Sequence, residues 1–178
     1  MFAAFASPWP PIAAMIAIVV ASNWLVQFPI NDVLTWGAIT YPFTFLVTDL
    51  TTRLQGATRA RLVVWIGFAI AVLISAWLAT PRIALASGTA FLVGQLLDIQ
   101  VFQRLRRGSW WRAPLVSSSV GSVLDTAIFF SLAFAGTVVP WVTLAMGDLG
   151  VKLTLAVLGL APFRAVLALA LPSPRVRA

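Results

Sequence analysis

The amino-acid sequence predicts an all-α integral membrane protein with six transmembrane helices and both termini in the cytoplasm. Three observations support this prediction. Of the 178 residues, 61% are hydrophobic and 10% are charged, whereas a soluble domain carries about 25% charged residues. The mean hydropathy is +0.98, and the apolar residues fall into six runs. Most arginines lie in the short segments between these runs. We expect all six runs to belong to one transmembrane domain, residues 1–178.

The six runs have lengths suited to a bilayer. The hydrocarbon core is about 30 Å thick, so a spanning helix needs about 20 apolar residues. Because Pro42 lacks an amide hydrogen, the second helix is expected to start or kink there. The last run is long enough to bend, and Gly147, Gly150 and Pro162 are the expected positions. We expect the spans at residues 12–28, 35–54, 62–80, 83–102, 114–134 and 141–171.

The distribution of arginine predicts the orientation, because cytoplasmic loops carry an excess of Lys and Arg. The side that we assign to the periplasm shows only Asp32 and Arg82. This asymmetry also explains the net charge of +7 without a nucleic-acid partner. The segments assigned to the cytoplasm contain Arg53, Arg59, Arg61, Arg104, Arg106, Arg107, Arg112, Arg175 and Arg177.

Several classes of chemistry are excluded by composition. The chain has no cysteine and no histidine, and all five acidic residues are aspartates, so thiolate chemistry, haem and ordinary zinc sites are not expected. The sequence contains no G-x-x-x-x-G-K-[ST] motif for ATP hydrolysis. Asp49 and Asp98 could supply the two carboxylates of an intramembrane aspartyl protease, but residues 94–98 lack the Gly-x-Gly-Asp pattern of those enzymes. We therefore expect no enzyme, no cofactor and no metal.

Ionisable side chains nevertheless interrupt four of the apolar runs. An ionisable group at membrane depth costs roughly 3 kcal/mol on insertion scales, so each one suggests a functional site. Asp125 lies 13 residues beyond Arg112, which is about 20 Å along a helix and near or past the midplane. Asp49, Asp98 and Lys152 occupy three other runs. This arrangement predicts a shared polar cavity.

Two of the carboxylates also have a purely structural interpretation. Asp49 could form an ion pair with Arg53, one helical turn further on. Asp98 could pair with Arg104 or Arg106 near the end of its helix. Asp125 is different, because no basic residue lies within one or two turns of it.

Other polar residues leave alternatives open as well. Asp148 and Lys152 are spaced i, i+4, and mutual neutralisation could account for both. Asn23 and Gln95 could be interhelical hydrogen-bonding residues. The serines at 117–119 could form a close-packing face.

A family resemblance rests on several motifs that occur in a fixed order. They are Ser22-Asn23, Thr35-Trp36-Gly37-Ala38, the run from Pro42 to Thr51, Gly94-Gln95-x-x-Asp98, Trp110-Trp111, Gly121 with Asp125-Thr126, and Lys152 with Pro162. Together they resemble the queuosine precursor transporter family, in the form typical of proteobacterial inner membranes.

This resemblance implies a multi-pass inner-membrane importer related in fold to the substrate-binding subunits of vitamin-uptake transporters. The implied cargo is a small molecule, 7-cyano-7-deazaguanine or 7-aminomethyl-7-deazaguanine, taken up for queuosine salvage. The positions that match the family's polar motifs, and that we expect to bind substrate, are Asn23, Gln27, Asp49, Gln95, Asp98, Asp125 and Lys152.

The residue types suit such a ligand. A 7-deazaguanine presents N1–H and an exocyclic amine side by side, and a carboxylate of Asp125 or Asp98 could accept both in charge-assisted hydrogen bonds. Gln95, Asn23 or Lys152 could donate to O6. An aromatic ring could stack on the base, which is worth about 1–3 kcal/mol. The candidate rings are Phe45, Phe129 and Phe130.

Two functional classes remain open at this point. The chain could be a self-sufficient carrier, driven by protons or by consumption of the base inside the cell. Alternatively, it could be the substrate-capture subunit of an ATP-driven machine that requires partner subunits.

Overall fold

The computed structural model describes residues 7–25, 28–31, 34–78 and 80–170, which form helices and one short pair of strands. Strand β1 (Pro29–Asn31) pairs antiparallel with β2 (Leu34–Thr35), where the first two predicted spans are joined. The helices are α1 (Trp9–Leu25), α2 (Trp36–Thr40), α3 (Phe43–Leu54), α4 (Ala57–Leu78), α5 (Pro81–Leu105), α6 (Arg112–Phe134), α7 (Trp141–Leu158) and α8 (Leu160–Ala170).

Four helical stretches are long and apolar enough to cross a membrane: Ala57–Ile74 within α4, all of α5, all of α6, and Trp141–Ala170 across α7 and α8. Helix α1 is apolar but has only 17 residues. Helix α3 has 12 residues, or about 18 Å of length. The prediction of an α-helical, multi-pass membrane protein is confirmed, while the count of six spans and the orientation stay predictions.

The predicted second span is two helices rather than one. Helix α2 ends at Thr40, and α3 begins at Phe43 with Pro42 as its N-cap. Because proline has no amide hydrogen to donate to the preceding turn, it is favoured at a helix start. The hydroxyl of Thr44 closes the turn by donating to the Tyr41 carbonyl at 2.8 Å. The expected helix start at Pro42 is confirmed.

The long last run is interrupted at Gly159. The amide of Gly159 still donates to the Leu155 carbonyl at 2.7 Å, but Pro162 has no amide to bond the carbonyl of Leu158, four residues before it. Gly147 lies inside the continuous helix α7. Of the expected bend positions, Pro162 is the one nearest to the interruption at Gly159.

Helices α5 and α6 cross at two glycines. A Cβ on Gly94 would lie 3.0 Å from the Asp125 Cβ, and a Cβ on Gly121 would lie 3.3 Å from the Asp98 Cβ. The same added atoms would lie 3.2 Å and 3.0 Å from the carbonyl oxygen of the opposite glycine. Each glycine precedes an aspartate on its own helix by four residues. The crossing therefore presses each aspartate against the glycine of the other helix.

The two ends of the bundle differ in charge. At one end, Arg53 Nη1 donates to the Arg106 carbonyl at 2.6 Å, and the Arg164 guanidinium lies 4.6 Å from the centroid of the Trp110 ring. At the opposite end, Arg82 donates to two carbonyls at the C-terminus of α6, at 2.8 and 2.6 Å. A cation is favourable there because the carbonyls of a final turn carry partial negative charge.

Apolar clusters pack on two sides of α3. One joins α1, α4 and α5 around Met15 and Phe91, with Val47 of α3 against it. The other joins α5, α6 and α8 around Phe102 and Phe163. The remaining face of α3 is polar and is buried against α5 and α6, where the candidate site lies.

Candidate functional site

Helix α3 presents a buried threonine face that holds Gln95 of α5. Gln95 Nε2 donates to Thr44 Oγ1 at 2.8 Å, and Thr48 Oγ1 donates to Gln95 Oε1 at 2.5 Å. Thr52 lies one turn further and donates to the Thr48 carbonyl at 2.8 Å. Gln95 thus forms interhelical hydrogen bonds, which is the structural alternative that the sequence left open for it.

Asp49 lies on the adjacent face of α3, and each of its carboxylate oxygens accepts one hydrogen bond from a hydroxyl group. Ser117 Oγ donates to Oδ1 at 2.9 Å, and Ser118 Oγ donates to Oδ2 at 2.8 Å. The alternative ion pair with Arg53 does not form, because that guanidinium donates to the Arg106 carbonyl instead. The serine run of α6 is therefore a hydrogen-bonding face as well as a packing face.

Asp98 is buried, and its carboxylate makes no hydrogen bond to the described residues. Its side chain neighbours Asp49 and Ser117, and its exposed fraction is 0%. Among the described residues, no group donates a hydrogen bond to either carboxylate oxygen. The alternative pairing with Arg106 does not form, since that side chain donates to Gln103. Buried polar groups are nearly always hydrogen-bonded, so this exception requires an explanation.

Lys152 of α7 is held by two carboxylates from two helices. Its Nζ lies 2.6 Å from Asp125 Oδ2 of α6 and 2.6 Å from Asp148 Oδ2, one turn earlier on α7. Thr126 accepts a hydrogen bond from Nζ at 3.0 Å and donates to Asp148 at 2.7 Å. The i, i+4 pair is therefore present, but Asp125 joins it and turns it into a link between helices.

Tyr41, at the break between α2 and α3, completes this network. Its hydroxyl donates to Asp125 Oδ1 at 3.0 Å, and Lys152 Nζ lies 5.5 Å from the centroid of its ring, within cation–π range. Both oxygens of Asp125 are thus occupied. Sequence analysis missed Tyr41 as a site residue, although it is the only tyrosine in the chain and directly precedes Pro42.

The interior holds more acidic than basic groups. Asp49, Asp98, Asp125 and Asp148 face a single ammonium group, that of Lys152. In the part of the chain that the structure describes, neither Asp49 nor Asp98 forms an ion pair. Charges removed from water are costly unless they are compensated. The site is therefore suited to accept hydrogen-bond donors or positive charge.

A cavity of about 30 Å³ lies between α3, α6, α7 and α8, which is room for about one water molecule. Its polar lining comprises Asp49, Ser118, Ser122 and Lys152, and Phe45 contributes an aromatic face. Pockets that hold small ligands usually measure roughly 300–1,000 Å³. The cavity described here is therefore too small to hold such a ligand.

Most of the residues predicted to bind substrate are gathered at this site. Asn23 is not, because its Nδ2 donates to the Val19 carbonyl of its own helix at 2.9 Å. Gln27 lies outside the described residues. The predicted residues that contribute to the buried polar networks are Asp49, Gln95, Asp125 and Lys152. Asp98 is buried beside Asp49 without joining them.

Of the three candidate aromatic residues, one lines the cavity and two do not. Phe45 lines the cavity. Phe129 and Phe130 instead pack edge to face on each other, with ring centroids 5.1 Å apart, and both contact Phe134. Neither lines the cavity.

Known proteins resemble the chain over most of its length. The model of the family described as putative vitamin uptake transporter matches residues 35–80 and 75–167. The chain is 36% identical to the queuosine precursor transporter of Escherichia coli (strain K12), with 84% of this chain and 81% of that protein covered. It is 38% identical to the probable queuosine precursor transporter of Haemophilus influenzae, with coverages of 76% and 73%. No solved structure matches.

Proposed function

The chain belongs to the putative vitamin uptake transporter family, together with the queuosine precursor transporters, and from this premise we propose that it imports queuosine precursors. The family is one of transporters, so the protein is a transporter and not an enzyme. The observation that carries the proposal is the buried polar site on α3, α5, α6 and α7, which lies inside the region that the family model matches. Ionisable groups inside an apolar bundle are costly, and they commonly mark the site that binds a polar substrate.

The proposed substrate is a 7-deazaguanine base with a cyano or aminomethyl group at C7. Asp49 is the proposed acceptor for N1–H and the exocyclic amine, because it lines the cavity and each carboxylate oxygen can accept a second hydrogen bond. The sequence favoured Asp125 or Asp98 for this role, but both oxygens of Asp125 are occupied and Asp98 does not line the cavity. Lys152 is the proposed partner of O6 once one of its three N–H donors is released from Asp125, Asp148 or Thr126. Phe45 is the proposed stacking ring.

Entry of the base requires the cavity to enlarge. One wall is formed by Leu155, Gly159 and Leu160, at the interruption between α7 and α8. We propose that these helices move relative to α3 and α6, since helix interruptions beside a substrate site are common in transporters. Access would then alternate between the two sides of the membrane.

We further propose a single domain of six spans in the inner membrane, with both termini in the cytoplasm. The basic side chains of Arg53 and Arg164 lie at one end of the bundle, and Arg82 lies at the other. This distribution supports the assignment of the arginine-rich end to the cytoplasm. The relatives are named transporters, and neither name refers to a subunit. These names favour a self-sufficient carrier over a subunit of an ATP-driven machine.

The test uses cells that cannot make queuosine and lack their own importer. The chain is expressed alone, each deazaguanine is supplied at low concentration, and queuosine is measured in tRNA. We expect the wild type to restore the modification and Asp49→Asn to fail while still reaching the membrane. Gln100→Leu, on the exposed face of α5, is the control and should behave as wild type. A wild-type chain that reaches the membrane but restores no queuosine would contradict the proposal.

A further inference from the structure

The free carboxylate of Asp98 is the feature that the proposed binding role does not use. It is fully buried, neither oxygen accepts a hydrogen bond from the described residues, and it does not line the cavity. Its neighbour Asp49, in contrast, has both oxygens bonded and lines the cavity. Asp98 is therefore placed behind the residue that meets the substrate.

The groups that face Asp98 supply no positive charge. Helix α3 contributes Asp49 and α6 contributes Ser117, while Asp125 of α6 is already paired with Lys152. The charged residues of α4 are Arg59 and Arg61 in its first turns, and Arg104 on α5 itself is exposed. Two neighbouring buried carboxylates repel each other strongly if both are ionised. Binding of a cation to the Asp49–Asp98 pair therefore relieves this repulsion.

The packing around Asp98 favours a proton over a metal ion. Metal cations bound by oxygen require several ligands at fixed distances. Gly121 approaches Asp98 so closely that an added Cβ would lie 3.3 Å from the Asp98 Cβ, and the same added atom would lie 2.8 Å from the Phe45 ring. The nearby cavity of about 30 Å³ lies on the Asp49 side. A proton shared between two carboxyl groups needs no additional space.

We propose that the Asp49–Asp98 pair binds one proton that travels with each substrate molecule, so that the proton gradient drives uptake. The inference rests on the proposed transport function. In the cycle, an O–H bond forms on the pair while the site is open to the outside, and the base binds at Asp49. After the site opens to the cytoplasm, the base leaves and the same O–H bond breaks. One proton and one base thus move inwards together.

The test uses the purified chain in proteoliposomes with 7-cyano-7-deazaguanine, which is uncharged. A gradient of one pH unit, alkaline inside, supports about tenfold accumulation if one proton accompanies one neutral substrate. We expect the wild type and Gln100→Leu to accumulate the base, and a protonophore to abolish this accumulation. Asp98→Asn should lose gradient-driven accumulation, and the exchange of internal for external base that remains should be independent of pH.

A direct measurement on the wild type needs no variant. Addition of the base outside, without an imposed gradient, should acidify the lumen, as read by a trapped pH dye. Base uptake without proton entry, accumulation driven by a sodium gradient instead, or full gradient-driven accumulation by Asp98→Asn would each overturn the inference and leave the transport function intact. Absence of both uptake and exchange in the wild type would overturn the proposed function itself.

Discussion

Gly94 of α5 and Asp125 of α6 are in direct contact, and a Cβ on Gly94 would lie only 3.0 Å from the Asp125 Cβ. The contact brings the helix backbones together and fixes the carboxylate that holds Lys152. In the same way, Gly121 of α6 contacts Asp98 of α5. The arrangement of the acidic residues therefore depends on two positions that have no side chain.

Gly94→Ala is expected to destabilise the protein, because the added methyl group meets backbone and Cβ atoms that cannot rotate away. Overpacking of this kind costs about 1–3 kcal/mol. Thermal unfolding in detergent measures the effect. The control is Gly150→Ala on α7, where an added Cβ has no atom within 4 Å, and where alanine should stabilise the helix by up to about 1 kcal/mol. Equal losses at the two positions would contradict the packing argument.

Lys152→Met is expected to be severe, since it leaves Asp125 and Asp148 without their cation. Removal of one partner from a buried ion pair costs roughly 3–5 kcal/mol. We expect little folded protein in the membrane and no uptake. Combining Lys152→Met with Asp125→Asn and Asp148→Asn should recover part of the folded protein, because the unpaired charges are then removed. Recovered folding without recovered uptake would separate the structural role of Lys152 from its role in binding.

Ser118→Ala is expected to weaken uptake through Asp49. The hydroxyl donates to Asp49 at 2.8 Å, and a hydrogen bond to a charged group contributes roughly 1.5–3 kcal/mol. A rise in the substrate concentration needed for half-maximal uptake would report this loss. Ser119→Ala is the matched control, since the neighbouring serine makes no hydrogen bond to Asp49. The assignment would be wrong if both alanine variants changed uptake alike.

Tyr41→Phe is expected to reduce uptake while preserving the fold. The change removes the hydroxyl that donates to Asp125 at 3.0 Å but keeps the ring that faces Lys152. Tyr41→Leu removes both interactions and should be worse, because the cation–π contact is lost as well. Initial uptake rates for the two variants, normalised to the amount of protein in the membrane, measure the difference. Equal rates would show that the ring contributes nothing.

Pro162→Ala is expected to stabilise the α7–α8 segment and slow transport. Alanine restores the amide that can bond the Leu158 carbonyl, so the helix can become continuous across Gly159. We expect a higher unfolding temperature together with a lower maximal rate of uptake. An unchanged uptake rate would indicate that the interruption between α7 and α8 takes no part in transport.

The acidic residues and Lys152 could be predicted as site residues from the sequence, because a charge at membrane depth is costly and has few purely structural explanations. The contribution of Tyr41, Ser117, Ser118 and Thr126 could not. Hydroxyl groups are common in membrane helices, and their role depends on which helix lies opposite. Only the packing of α6 on α3 brings two serines to Asp49.

Asn23 illustrates the opposite difficulty. Its match to the family's polar motifs suggested a binding residue, but its amide donates to the Val19 carbonyl one turn earlier in the same helix. Local and distant partners compete for a short polar side chain, and the sequence does not reveal which is chosen. The break at Pro42 was predictable, in contrast, because it follows from the chemistry of one residue and needs no tertiary partner.

The glycine crossing of α5 and α6 also has a mechanical consequence. Backbone atoms in such close contact cannot slide without collision, and close-packed interiors transmit displacement instead of absorbing it. The pair therefore behaves as a fixed frame, further clamped where Arg82 bonds the end of α6. Lys152 connects that frame to α7 through Asp125. In the proposed movement of α7 and α8, this ion pair is the contact that joins the fixed frame to the moving helices.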